Sequence, residues 1–282
     1  MKTTAKILLF VLMLATSVCS QEKRSEKPAP KEIKDQTNLT IRYIGNEGVL
    51  ISAGGKRVLI DGLHREYKSD YAFPPKDVLD LLETARAPYD RIDLLLVSHI
   101  HLDHFHPESV GLHLKNDPQS LLVTSEQAAG EVAKNFSDYE KIKGQIRPFK
   151  HEWKKSFEVN ENGIKVRLLA LRHSGERARS IENLGHLIEI GGRKLLHIGD
   201  ADMTDENFSA FALDKEKIDV AFIPYWYLIS ENGRRLIARQ FAPKQIVAVH
   251  IPPAEAESIT EQIKGFYPDA VSLTRISEEK TF

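Results

Sequence analysis

The chain has 282 residues, 41% of them hydrophobic and 28% charged, with a formal net charge of −1 at pH 7. This is the composition of a folded globular protein and argues against a disordered or fibrous one. No concentrated basic face is visible, so no nucleic-acid partner is expected, and a single cysteine, Cys19, excludes an internal disulfide.

Lys2 and Lys6 precede an apolar run, Ile7 to Ala15, and short side chains follow from Thr16 to Ser20. That is the pattern of a secretory signal peptide over residues 1–20, with cleavage expected after Ser20. The run is nine residues long, against about 20 for a spanning helix, so no transmembrane helix is expected in the mature chain. The product would be periplasmic or secreted. Lipidation at Cys19 is the lesser alternative, because Thr16-Ser17-Val18 lacks the large aliphatic residue expected three positions upstream. Loss of residues 1–20 removes Lys2 and Lys6 and leaves a formal charge of −3. Residues 21–37 are charged, contain Pro28 and Pro30 and have no apolar period, as in a flexible linker.

Residues 38–282 read as one domain. Strands are predicted at 39–44, 48–53 and 56–61, with Gly54-Gly55 as a hairpin turn. A loop rich in Tyr, Asp and Pro leads to a helix near 76–86, and 92–97 is a buried strand. A strand near 120–124, a helix near 125–136, and strands near 144–149 and 163–171 follow. A second hairpin joins 184–190 to 193–198 through Gly191-Gly192. Then come a helix near 204–213, a strand at 218–223, a helix near 229–239, a strand at 245–249 and a helix near 254–265. Hairpins in both halves do not fit regular βαβα alternation. They predict two mixed sheets packed together with helices outside.

The segment with chemistry is Ser98-His99-Ile100-His101-Leu102-Asp103-His104, directly after the strand at 92–97. Imidazole and carboxylate are ligands for zinc and its first-row neighbours. Packing does not explain three histidines and an acid at this spacing, since such groups are unfavourable to bury unpaired.

This H-x-H-x-D-H segment after an apolar strand resembles the signature of the metallo-β-lactamase superfamily. The resemblance implies an α+β fold, the four-layer αββα sandwich, and three further ligands at later strand ends. His173 follows 163–171, Asp200 follows 193–198 and His250 follows 245–249. It implies two metal ions, zinc first, with manganese or iron as alternatives. His99, His101 and His173 would hold one ion, Asp103, His104 and His250 the other, and Asp200 would bridge. A bridging hydroxide would be the nucleophile, with Asp103 orienting it, so Asp103 and Asp200 are the expected catalytic residues.

The stretch between His173 and Asp200 resembles the branch containing sugar-phosphate lactonases, tRNA-processing endonucleases and phospholipase-D-like phosphodiesterases. The expected activity is therefore exported, metal-dependent hydrolysis of a lactone or phosphodiester in a small-molecule or lipid-like substrate. β-Lactam hydrolysis is disfavoured because zinc β-lactamases characteristically carry a cysteine at the bridging position. Iron-dependent oxidation is the other alternative, disfavoured because no acid replaces a motif histidine. Candidate substrate-binding residues are His64, after the strand at 56–61; Arg177, near His173; and the aromatic run Tyr225, Trp226 and Tyr227. Asp61 and Asp202 are candidates for supporting the ligands. His106 is expected to open a helix, His186 and His197 to be satisfied in the core, and His113 and His151 to lie on the surface.

Overall fold

A computed structural model describes residues 38–282. The expected signal peptide at 1–20 and linker at 21–37, with Cys19, lie outside the described residues.

The first sheet is built from β1 (Thr40–Gly45), β2 (Gly48–Ala53), β3 (Lys56–Ile60), β4 (Leu94–Leu96), β5 (Leu121–Ser125) and β6 (Ile146–Phe149). The second is built from β7 (Ser156–Glu161), β8 (Ile164–Arg172), β9 (Glu182–Ile190), β10 (Arg193–His197), β11 (Val220–Pro224), β12 (Gln245–Val249) and β13 (Val271–Ser272). A last strand, β14 (Glu279–Thr281), returns to pair antiparallel with β1, giving the orders β14-β1-β2-β3-β4-β5-β6 and β13-β12-β11-β10-β9-β8-β7. Both sheets are mixed. β1 to β3 and β7 to β10 are antiparallel, whereas β3 to β6 and β10 to β13 run parallel.

Strands covered on both faces are continuously apolar, and period-two alternation decides which residue faces which layer. In β4, Leu94 and Leu96 join the core between the sheets while Leu95 faces the outer helices. Ile41, Val49 and Ile51 meet Val166, Leu168, Ile188 and Phe222 across that inner core. The outer face of the first sheet packs on α1 (Lys76–Glu83), α2 (Pro107–Asn116), α3 (Glu126–Asn135) and α4 (Tyr139–Ile142) through Leu82, Val110, Val132 and Ile142. The second sheet packs on α5 (Asp205–Phe208), α6 (Tyr225–Ile229), α7 (Glu231–Leu236) and α8 (Ala256–Phe266) through Phe208, Tyr227, Leu236 and Ile263. The result is the expected αββα sandwich.

Differences from the sequence reading have local causes. The helix expected near 204–213 is only α5, and the chain turns left-handed farther on, at Ala212 (φ 50°). The helix near 229–239 is divided at Ser230, whose hydroxyl accepts from Gly233 N at 3.2 Å and caps α7. β7 was not predicted, because its sequence, SFEVNE, is mostly polar and only Val159 is buried. His106 does cap α2. His113 is not a surface residue: it is fully buried, and its Nδ1 bonds the Leu82 carbonyl at 2.6 Å, fixing α2 to α1. His151 is half-buried, with Nε2 at 2.9 Å from the Leu171 carbonyl. Among the described residues no helix is long and apolar enough to cross a membrane.

Candidate metal centre

Chain segments that leave β4, β8, β10 and β12 converge at one end of the sandwich. They carry His99 to His104, His173, Asp200 and His250 respectively. Three backbone positions around the site adopt the left-handed region that L-residues disfavour: Asn46 (φ 49°), Asp61 (φ 45°) and His250 (φ 58°). Each turns the chain sharply at a strand end, and the His250 N–H donates to the Asn46 carbonyl at 3.0 Å. Gly199 (φ 55°) precedes Asp200, and a Cβ there would meet Asn183 Oδ1 at 2.6 Å and Ser98 Cβ at 2.9 Å. Only glycine lets the loop approach so closely.

The seven residues fall into two groups, His99, His101, His173 and Asp200, and Asp103, His104 and His250. In the first, His99 Nε2 lies 3.1 Å from His101 Nδ1 and 3.3 Å from His173 Nε2, which is 3.6 Å from Asp200 Oδ2. In the second, Asp103 Oδ2 is 3.4 Å from the Nε2 atoms of both His104 and His250. Asp200 Oδ1 is 3.5 Å from His104 Nε2 and 3.6 Å from His250 Nε2. One carboxylate oxygen of Asp200 therefore faces each group.

These separations suit ions. Four donors at about 2.0–2.1 Å from a common centre are about 3.3 Å apart along a tetrahedral edge. The ring protons are also engaged on the far side. His104 Nδ1 donates to Asp61 Oδ2 at 2.9 Å, His99 Nδ1 to Ser98 Oγ at 2.9 Å, and His173 Nδ1 to the Ser174 carbonyl at 2.7 Å. That leaves Nε2 lone pairs turned inward, as metal-ligating histidines require. Asp200 Oδ1 and His250 Nε2 are buried without a hydrogen-bond partner. Buried, unpaired acceptors and acids are unfavourable, and a divalent cation resolves both.

Without metal, the charges compensate one another. Burial opposes ionisation of Asp103 and Asp200, but His104 and His250 outweigh it and hold both carboxyls well below the usual range. Burial lowers His250 too, yet the Asp200 and Asp103 carboxylates lift it to about 10. Burial pushes His99 well down and His186 down to about 3. Contrary to the expectation that His186 is satisfied, neither of its ring nitrogens has a partner.

The substrate-binding candidates are dispersed differently. His64 is fully buried, its ring nitrogens 2.9 and 3.3 Å from the carbonyls of Asp61 and Ala72, so it has no face for a substrate. Tyr227 is also fully buried and donates to the Ala201 carbonyl at 2.7 Å, a core contact. Trp226 is half-buried and meets the His250 ring edge-on at 4.8 Å between centroids, with Tyr225 packed against it at 5.5 Å. Arg177 is exposed in the short turn Glu176–Ala178 beyond His173. Asp202 pairs with Arg179 at 3.3 Å.

Sequence reasoning missed Asn46, Glu47 and Tyr71. Asn46 Nδ2 donates to Asp103 Oδ2 at 2.8 Å and is buried beside His104. Glu47 is buried next to it, and burial with the Asp200 charge pushes its carboxyl up to about 8. Tyr71 also meets His250 edge-on, at 5.4 Å, and stacks on Tyr67. Two polar residues, Asn46-Glu47, placed between apolar strands were the available signal for the first pair; Tyr71 had none beyond its aromatic loop.

A family model described as a beta-lactamase superfamily domain matches residues 57–269. The chain is 27% identical over 208 residues to cleavage and polyadenylation specificity factor subunit 3 of Dictyostelium discoideum, a match covering 68% of this chain and 26% of that one. It is 26% identical over 224 residues to Integrator complex subunit 11 of Gallus gallus, covering 71% and 35%. The match thus spans about a third or less of these curated relatives. Among solved structures, Igni18, a metallo hydrolase from Ignicoccus hospitalis, superposes with a TM-score of 0.58 at 16% identity, covering 87% of this chain and 99% of that one. At that identity the likeness concerns the fold.

Proposed function

The chain belongs to the metallo-β-lactamase superfamily, the metallo-hydrolases built on this fold, and on that premise we propose that it hydrolyses an ester-type bond in a lactone or phosphodiester. His99, His101 and His173 would hold one divalent ion, Asp103, His104 and His250 a second, and Asp200 would touch both. The ions would acidify a water into a nucleophile near neutral pH and polarise the oxygen of the scissile bond. The observation that carries this reading is the convergence of seven residues into two groups, each with its donor atoms within 4.8 Å of one another.

The protein's own groups do the positioning. Asp103, fixed by the Asn46 amide, accepts a hydrogen bond from the attacking water and aims it. Asp200, with one oxygen toward each donor group, would be shared by both ions. Trp226 and Tyr71, both edge-on to His250, form an aromatic wall for an apolar substrate face, and Tyr225 supports Trp226. Arg177 offers an anionic substrate a partner at the rim. An Asp at position 200 rather than Cys favours esters over β-lactams, and the intact histidines 99, 101 and 104 favour hydrolysis over iron-dependent oxidation. Zinc is the first choice of ion. Export of the mature chain is proposed on residues 1–20 alone.

The name of one relative, a cleavage and polyadenylation factor subunit, favours a second reading, a nucleic-acid phosphodiester, against the expectation drawn from charge. The test is metal analysis of the purified protein together with hydrolysis of bis(p-nitrophenyl) phosphate, a γ-lactone, a chromogenic β-lactam and a short single-stranded RNA. We expect two ions per chain and turnover of the phosphodiester or lactone that stops on chelation and returns with metal. Turnover that survives complete metal removal refutes the proposal.

A further inference from the structure

One buried acid is left without a role. Glu47 occupies the turn between β1 and β2, beside the Asn46 that holds Asp103, and is 1% exposed. Its Oε2 lies 3.4 Å from His197 Nε2, while Oε1 has no hydrogen-bond partner. A Glu47 oxygen lies within 4.8 Å of donor atoms of both His104 and Asp200, and Asp200 Oδ1 is itself unpartnered. Glu47 therefore borders the donors offered by His104 and Asp200. Two buried carboxyl oxygens without hydrogen-bond partners are unfavourable, and a cation placed between them would satisfy both. The low dielectric of the interior strengthens the attraction of a carboxylate to a dication.

We propose that Glu47 is a further metal-site residue, an interior carboxylate that tightens binding of the ion held by Asp103, His104 and His250. The inference rests on the reading that the seven donors hold two ions. Its effect is selective, because Glu47 shares a donor group with His104 and Asp200 and with none of His99, His101 and His173. No step in the chemistry is assigned to it. Its role is to position and retain the cation.

The test is stepwise zinc binding to the full mature chain, read by competition with a chromogenic chelator. The step abolished by His250→Ala identifies the second site. Glu47→Gln keeps the shape and removes the charge; Glu47→Ala removes both. We expect the second dissociation constant to rise tenfold or more in each variant, the scale typical of residues that support a metal ligand, with the first within twofold of wild type. If wild type binds two ions and Glu47→Gln binds the second within twofold of it, the inference fails and the two-ion reading stands. Equal weakening of both steps also overturns it, since Glu47 would then support the fold rather than one ion. A wild type that takes up a single ion sinks the reading and the inference together. Should Glu47→Ala not fold, the isosteric Glu47→Gln decides.

Discussion

Asp61→Asn should weaken both metal sites through a single side chain. Asp61 is fully buried; its Oδ1 accepts from Ser98 N at 2.8 Å, and its Oδ2 accepts from Ser98 Oγ and from His104 Nδ1 at 2.9 Å. Ser98 Oγ in turn accepts from His99 Nδ1 at 2.9 Å. The carboxylate thereby fixes the tautomer of one histidine in each group, directly at His104 and through Ser98 at His99. Asparagine has one oxygen for three donors, so in either orientation its amide N–H₂ opposes at least one of them. Turned toward His104, it forces that ring to accept at Nδ1 and moves the proton to Nε2, the inward atom. A hydrogen bond to a charged group contributes about 1.5–3 kcal/mol, equivalent to about ten- to a hundredfold in an equilibrium constant. We expect zinc affinity to fall by about that factor at both sites. Ser98→Ala should weaken only the site of His99. Chelator competition measures both steps, and circular dichroism confirms folding. Wild-type affinities in Asp61→Asn, or equal loss at both sites in Ser98→Ala, would refute this account of the hydrogen bonds.

Asp103→Asn should retain the ion at His99, His101 and His173 while kcat falls about 100-fold, the scale of losing a positioned catalytic group; metal content and kinetics on one preparation check it. Trp226→Ala or Tyr71→Ala should raise KM by about two- to tenfold for an aryl ester and leave metal content at wild type, the loss expected when one aromatic contact of about 0.5–1.5 kcal/mol disappears. His64→Ala should lower unfolding free energy by about 1–3 kcal/mol, yet leave kcat/KM of the folded fraction unchanged. In the metal-free protein His250 is lifted to about 10. Its contribution to stability should be complete below its unfolded value of about 6.5 and disappear as pH rises through about 10. Zinc affinity should climb over the same interval, because zinc requires the neutral imidazole. A thermal midpoint of the apo protein that rises between pH 7 and 10 contradicts this assignment.

The layered fold was legible because its strands are apolar bursts punctuated by Gly54-Gly55 and Gly191-Gly192. All seven donors were equally open to reading, since each directly follows such a burst or belongs to the H-x-H-x-D-H segment. What escaped was what needs three dimensions. Ser156–Glu161 is polar because one face of the strand is in water, and Glu279–Thr281 is only three residues long. Asn46 and Glu47 look like ordinary turn residues until β12 brings His250 against the Asn46 carbonyl. His64 and Tyr227 sit at strand ends near the site, as substrate residues would, but their polar atoms are spent on backbone carbonyls. Position along the chain could not reveal which way those side chains turn.

The pairing of β14 with β1, Thr281 opposite Thr40, bears on how the protein is made. A ribosome releases Thr40 long before Thr281, so the edge of the first sheet waits for the rest of the domain to be synthesised. The candidate metal ligands have the same schedule: His99 emerges early and His250 late. An ion bound early by the H-x-H-x-D-H segment would have only part of its donor set, and loop closure over so long a chain is slow. Metal capture should therefore come late in assembly, locking a sandwich that hydrophobic packing has already closed.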